Sequence, residues 1–270
     1  MSKKIYLIGG VDSFGVPYTR DNKNNINHLR EVYNFFIGQG IETTMIDMYS
    51  MHKYNDTDYI NDLLENGIDL YSIKENQIES IDLCRKSGIF QFVQLPEKTK
   101  RLYELNDNDK SQILADIIKD NEIIFIYSCG INDFLKNMDT NLAKLLNPKN
   151  MEEAFKDLEK TIALIIGKID KNIQKLIEIN KDIEIYVMGI YTPTRVKYIR
   201  NYVRQPISLY NIALQALCEK YENVHFIDNS NLDKTNMAHV DWHPNYTGQK
   251  LMGENIIFEI KQKSKILKLK

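Results

Sequence analysis

The sequence predicts an α/β fold: a three-layer, doubly wound parallel sheet of about five strands, with helices on both faces. Three observations predict it. Short apolar, β-branched runs alternate along the chain with amphipathic helical stretches. One run, Asn121–Ser128 (NEIIFIYS), is almost continuously apolar, as a central strand covered on both faces must be. The length, 270 residues, suits one such domain carrying an insertion.

The elements follow in order. Lys4–Gly10 (KIYLIGG) is an apolar run closed by glycines, a buried strand running into a turn. The Asn-rich stretch Asp21–Asn27 is solvated chain before a helix. His28–Gly40 reads as that helix, with Leu29, Val32, Tyr33, Phe36 and Ile37 on one face and Gly38 and Gly40 at its end. Ile41–Met48 is the second strand, and Asp56–Asn66 a helix stopped by Gly67. Ser72–Lys86 opens on a capping box, Ser72 to Glu75, and reads as a helix ended near Gly88. Ile89–Leu105 is irregular, and Ser111–Lys119 is helical. Asn121–Ser128 is the central strand. Met151–Asn180 is a long amphipathic helix with a break expected near Gly167. Ile183–Ile190 is a strand, Ile207–Tyr221 a helix, Val224–Asp228 a strand and Gly248–Ser264 the closing helix. Residues 67–105 are read as an insertion that caps the site as a lid. The five lysines of Lys261–Lys270 are read as a solvated helix end.

Composition narrows the function classes. Lys+Arg is 35 against Asp+Glu 37, so no global basic field marks a nucleic-acid binder. The opening MSKK runs straight into a strand and predicts no secretory signal, and no apolar run is long enough to span a bilayer. Cys84, Cys129 and Cys218 are dispersed, which predicts neither a disulfide framework nor a zinc site and fits a reducing cytoplasm. No metal or other cofactor is expected, and a homo-oligomer stays open.

In a doubly wound sheet, ligands bind at the carboxyl ends of the strands. Three polar segments fall there: Gly9–Gly15 (GGVDSFG), Cys129–Asp133 (CGIND), and Asp241–Asn245 (DWHPN) just before the last helix. Each alone is weak evidence, because glycine turns, helix caps and loop histidines all look like this. Together they supply a serine nucleophile, a side chain able to donate to an oxyanion, and a late histidine beside an aspartate. Those are the parts of an acyl-transfer site.

On these segments the chain resembles the SGNH (GDSL-type) hydrolase family, over nearly its whole length. Asp12-Ser13 stands at the nucleophile block, Gly130-Ile131-Asn132-Asp133 matches that family's G-x-N-D block, and Asp241-Trp242-His243-Pro244-Asn245 its last block. Ile183–Pro193 is also similar to the strand and loop before the final third of bacterial members. The resemblance implies a flavodoxin-like fold and hydrolysis of esters, often of lipids or acylated sugars. Ser13 would attack, His243 would act as base and Asp241 would orient it. The Ser13 N–H, the Asn132 side chain and a backbone N–H near His52 would form the oxyanion hole. Asp12 and Gly130 would support the turns.

Three positions depart from the family pattern. Val11 stands where the family has glycine before Asp-Ser. Val240 occupies the family's aspartate position, with Asp241 one residue nearer the histidine. No glycine lies near His52. A Ser–His dyad therefore stays open beside the triad. Of the other histidines, His239 is the competitor for the base role; His28 is read as a helix-surface residue and His225 as a strand residue. Phe14, Val16, Pro17 and Tyr18 either line an acyl pocket or pack on the core. Arg195, Lys197, Arg200 and Arg204 form a basic stretch, either a solvated face or a contact for an anionic head group. Two other functions stay open: a family member with weak or lost chemistry that binds an acylated or anionic ligand, and a flavodoxin-like nucleotide binder using Gly9–Gly15. The latter lacks the Lys-Ser/Thr ending of a P-loop.

Overall fold

The computed structural model describes residues 5–9, 28–47, 118–128, 134, 151–192, 197–237 and 244–268. Their elements are β1 (Ile5–Gly9), α1 (His28–Gly38), β2 (Thr43–Asp47), β3 (Glu122–Tyr127), α2 (Met151–Ile179), β4 (Glu184–Met188), α3 (Lys197–Cys218), β5 (Val224–Ile227), a 3₁₀ turn (Lys234–Asn236), α4 (Tyr246–Lys263) and α5 (Lys265–Lys268). The strands form one parallel sheet in the order β2-β1-β3-β4-β5. The chain steps one way from β1 to β2 and the other way from β3 through β4 to β5. The reversal lies between β1 and β3, where Gly9 pairs with Ile126. Such a switch point leaves a crevice at the carboxyl ends of the two strands.

Every residue of β1 and β4 is buried, and so are Ile123–Tyr127 of β3. Strands covered on both faces need helices on both sides. Helix α1 packs with α4, and α2 packs with α3. Right-handed crossovers place α1 on one face and α2 and α3 on the other. The three-layer, doubly wound arrangement expected from the sequence is therefore the observed one.

The helices bury the stripes their periodicity dictates. On α2, Ala154, Leu158, Ile162, Ile165, Ile169, Ile173 and Leu176 recur every three or four residues and are all buried. On α1 the buried set is His28, Leu29, Val32 and Phe36. Each fully buried Leu or Phe there contributes about 1.5–3 kcal/mol. Asn172, on the buried side of α2, donates to the Tyr127 hydroxyl at 3.0 Å and ties that helix to β3.

Four expectations are corrected. Helix α2 runs unbroken through Gly167, because a Cβ there would meet nothing and no packing demand interrupts the turn. Helix α3 starts at Lys197, ten residues before the expected Ile207. Pro206 lies inside it, one residue before the expected start, and is buried, so its ring serves the core. Ile37 is 47% exposed, off the apolar face assigned to it. His28 is not a helix-surface residue: it is fully buried. The expected helices at 56–66 and 72–86 and the proposed insertion at 67–105 lie outside the described residues.

The chain after α4 returns to the amino end of the sheet. The carboxylate of Glu184, the first residue of β4, is buried. Its Oε1 accepts the backbone N–H groups of Lys265 (2.6 Å) and Ile266 (3.0 Å), and its Oε2 accepts from the Tyr186 hydroxyl (3.1 Å). Helix α4 therefore ends beside the amino end of β4 and begins at the opposite, carboxyl side of the sheet. The lysines 261, 263, 265 and 268 are exposed, as read from sequence.

Candidate active site

The described residues build the carboxyl edge of the sheet in detail. At β1 the chain reaches Gly9, where any side chain would overlap the Leu29 methyl groups, so α1 begins pressed onto the strand's end. Ser13 follows four residues later. At β3 the chain leaves through Tyr127 and buried Ser128, and Asn132 follows four residues after Ser128. These two exits are neighbours, because β1 and β3 are paired.

Asparagines fasten the remaining strand ends. Asn211 on α3 binds both the N–H and the C=O of Ile190, each at 2.8 Å. Asn229, fully buried after β5, donates to the Gly189 carbonyl at 3.0 Å and accepts from Asn255 of α4 at 3.0 Å. Side-chain amides suit this work because each offers a donor and an acceptor to a backbone that has left the ladder.

The third exit is the base of a six-residue segment, 238–243. Met237 and Pro244 form an antiparallel bridge, so the segment starts and finishes at one place. Asn245 secures that base. Its N–H donates to the Asn236 carbonyl (2.7 Å), and its Nδ2 to the carbonyls of Thr235 (2.7 Å) and Met237 (3.3 Å). Its Oδ1 accepts from the Gly248 N–H (3.0 Å) and the Thr247 hydroxyl (2.7 Å), which caps α4. Gly248 lies so close to the Asn236 carbonyl and Pro244 that a Cβ would overlap both. His243 immediately precedes Pro244, and Asp241 lies two residues before His243.

The predicted site residues Asp12, Ser13, Gly130, Asn132, Asp241 and His243 themselves lie outside the described residues, as do His52 and His239. The structure thus brings together the strand exits and the loop base that lead to them. Asn245 and Asn211 were not read as structural clamps. For Asn245 a local signal existed, since an asparagine ahead of Tyr-Thr-Gly is an N-cap pattern. For Asn211, a polar residue within an amphipathic helix gives no such signal.

The chain matches the GDSL-like lipase/acylhydrolase family over residues 9–256. It belongs to that family. The match spans all three exits and both clamped loop ends. No curated protein matches the chain in a sequence comparison. Among solved structures, this GDSL-like protein is similar to the lipase Lip_vut3 from a goat rumen metagenome, at 13% identity and a TM-score of 0.60, covering 98% of this chain and 99% of that one. It is also similar to phospholipase A1 from Streptomyces albidoflavus NA297, at 11% identity and a TM-score of 0.51, covering 98% and 100%. An extracellular lipase from Streptomyces rimosus gives 11% and 0.51, covering 95% and 98%. At these identities the likeness is one of fold.

Two further features bear on where chemistry can occur in this GDSL-like fold. A cleft of about 720 Å³ lies at the amino ends of β3–β5, lined among others by Asn121, Glu122, Glu184, Asn223, His225 and Lys265. It is on the wrong side of the sheet for the family's chemistry. There His225 stacks at 5.0 Å from Tyr186, and burial lowers its pKa against the pull of Glu184. Among the described residues, no group of His, Cys, Asp and Glu is arranged to hold a metal, and no helix is long and apolar enough to cross a membrane.

Proposed function

We propose that this GDSL-like protein is a serine esterase that hydrolyses carboxylic esters of a lipid, an acylated sugar or another small acyl ester. The Ser13 hydroxyl attacks the ester carbonyl carbon while His243 takes its proton, then passes that proton to the departing alcohol. Water, deprotonated by the same histidine, releases the acid from Ser13. The Ser13 N–H and the Asn132 amide donate to the oxyanion, and Asp241 steadies the imidazolium. Asp12 and Gly130 hold the turns, and residues 67–105 cap this end as an insertion. The dispersed cysteines, with Cys218 buried as a free thiol, support a cytoplasmic setting.

One observation carries the reading: the family match runs from residue 9 to 256 and embraces the Ser13, Asn132 and His243 blocks together. The test is a series of aryl esters from acetate to palmitate, run on the wild type and on Ser13→Ala, with fluorophosphonate labelling. Ser13→Ala should lose both turnover and labelling. Wild-type turnover in that variant would show another nucleophile. A second reading, a binder of acylated or anionic ligands with weak chemistry, draws support from Val11 and Val240 at positions where the family pattern differs. Absence of labelling in the wild type favours it.

A further inference from the structure

The heads of α1 and α4 are joined by a buried polar contact that the proposed chemistry does not itself use. His28 is fully buried at the first position of α1. Its backbone N–H and its Nδ1 both meet the Oε1 of Gln249, at 3.2 and 2.8 Å. A backbone N–H can only donate, so the shared amide atom is the oxygen, and the ring carries its proton on Nδ1. Gln249, itself buried, sits in the first turn of α4, where its N–H donates to the Asn245 carbonyl at 2.9 Å. One turn further on, Gly253 lies against the Glu31 Cβ and the His28 carbonyl, closer than any side chain would allow.

These contacts form a chain. Gly9 packs on Leu29, His28 holds Gln249, and the adjoining Gly248 packs on Pro244. One end is the strand exit four residues before Ser13. The other is the residue after His243.

We propose that the His28–Gln249 pair is a positioning element for the serine–histidine site, fixing the base of the His243 loop relative to the end of β1. The inference rests on the esterase reading above. Apolar packing alone resists separation of two helices but resists sliding and rotation weakly. A hydrogen bond to an oriented ring fixes both. The distinction matters because proton transfer from Ser13 requires the two groups within hydrogen-bond reach, and a misplacement of about 1 Å costs up to about 10²-fold.

The test compares His28→Leu, His28→Asn and Gln249→Met in the full chain, at a temperature where circular dichroism shows each fully folded. The asparagine amide nitrogen falls near the position of Nδ1 and still donates to Gln249. His28→Leu and Gln249→Met should lower kcat for an aryl acetate by about 10–100-fold, with KM within about twofold and labelling slowed in parallel. His28→Asn should stay within about threefold of wild type, a rescue that mere packing loss would not give. If His28→Leu does not fold, Gln249→Met decides. The inference is overturned if the disruptive variants keep kcat and lose only thermal stability, or if leucine and asparagine behave alike. Ser13-dependent turnover in the wild type that persists in His28→Leu and Gln249→Met overturns this inference alone. Absence of Ser13-dependent turnover in the wild type overturns the esterase reading and this inference with it.

Discussion

Acid should weaken this fold through His28. Burial lowers its pKa from 6.5 to about 4, because a charged imidazole in that site would lose its water; the Gln249 contact offsets this only in part. Gln249 is neutral, and Glu31 lies one turn away on the same helix. Between the two values the unfolded chain holds more protons than the folded one, so lowering the pH favours unfolding. The contribution of neutral His28 is whole above pH 6.5, shrinks as pH falls, and levels out below about 4. At about 1.4 kcal/mol per pH unit, the gap is worth about 3 kcal/mol, of which about 2 should be lost between pH 7 and 5. The assay is urea unfolding at pH 7, 6 and 5 on wild type and His28→Asn. Carboxylates common to both proteins cancel in the difference. The asparagine variant should unfold with the flatter pH profile, and the gap between the proteins should change by about 2 kcal/mol over this range. A difference that stays constant from pH 7 to 5 would refute a neutral, buried His28.

Three further outcomes are expected. Asn132→Ala should lower kcat by about 10²–10³ with KM little changed, as loss of an oxyanion donor does; a change in KM alone would make it a binding or capping residue. Asp241→Asn should slow turnover heavily if that carboxylate steadies His243, whereas a small effect combined with a gain from Val240→Asp would establish a dyad. Asn245→Ala should cost about 1–2 kcal/mol in thermal or urea unfolding, since it removes the α4 cap and the ties to Thr235 and Met237 together; unchanged stability would show that the Met237–Pro244 bridge holds the base unaided.

What could be read from the sequence depended on how local its cause was. The inner strands β1, β3 and β4 coincide with apolar runs, because a strand covered on both faces demands near-continuous apolarity, while the edge strands β2 and β5 carry polar residues such as Thr43, Thr44 and His225. Alternation with helices implies parallel strands, whereas the order β2-β1-β3-β4-β5 shows only in the folded sheet. The start of α3 was missed because Pro206 looks like a boundary in one dimension, and only the packed helix shows its ring placed in the core. Burial of His28 could not be read at all, since its partner is 221 residues away. For the candidate site, the three blocks stand out in the sequence because chemistry requires particular residue types at strand exits, and their residues lie outside the described ones. The clamps behind them were not, because an asparagine that binds distant backbone carries no periodic signature.

The Glu184 carboxylate has a consequence for the order in which the molecule is made. Its acceptor positions on the backbone side are filled by amides 81 and 82 residues further along. A nascent chain that has emerged only through β5 carries a carboxylate at the amino end of an interior strand without these two amides, and burying it then is costly. The amino end of β4 has its full set of donors only once Lys265 and Ile266 are in place. That end of β4 is completed by the chain just past α4, the same helix whose head secures the base of the 238–243 segment. Docking of α4 thus ties closure of the sheet's amino end to the Asn245 clamp at its carboxyl end.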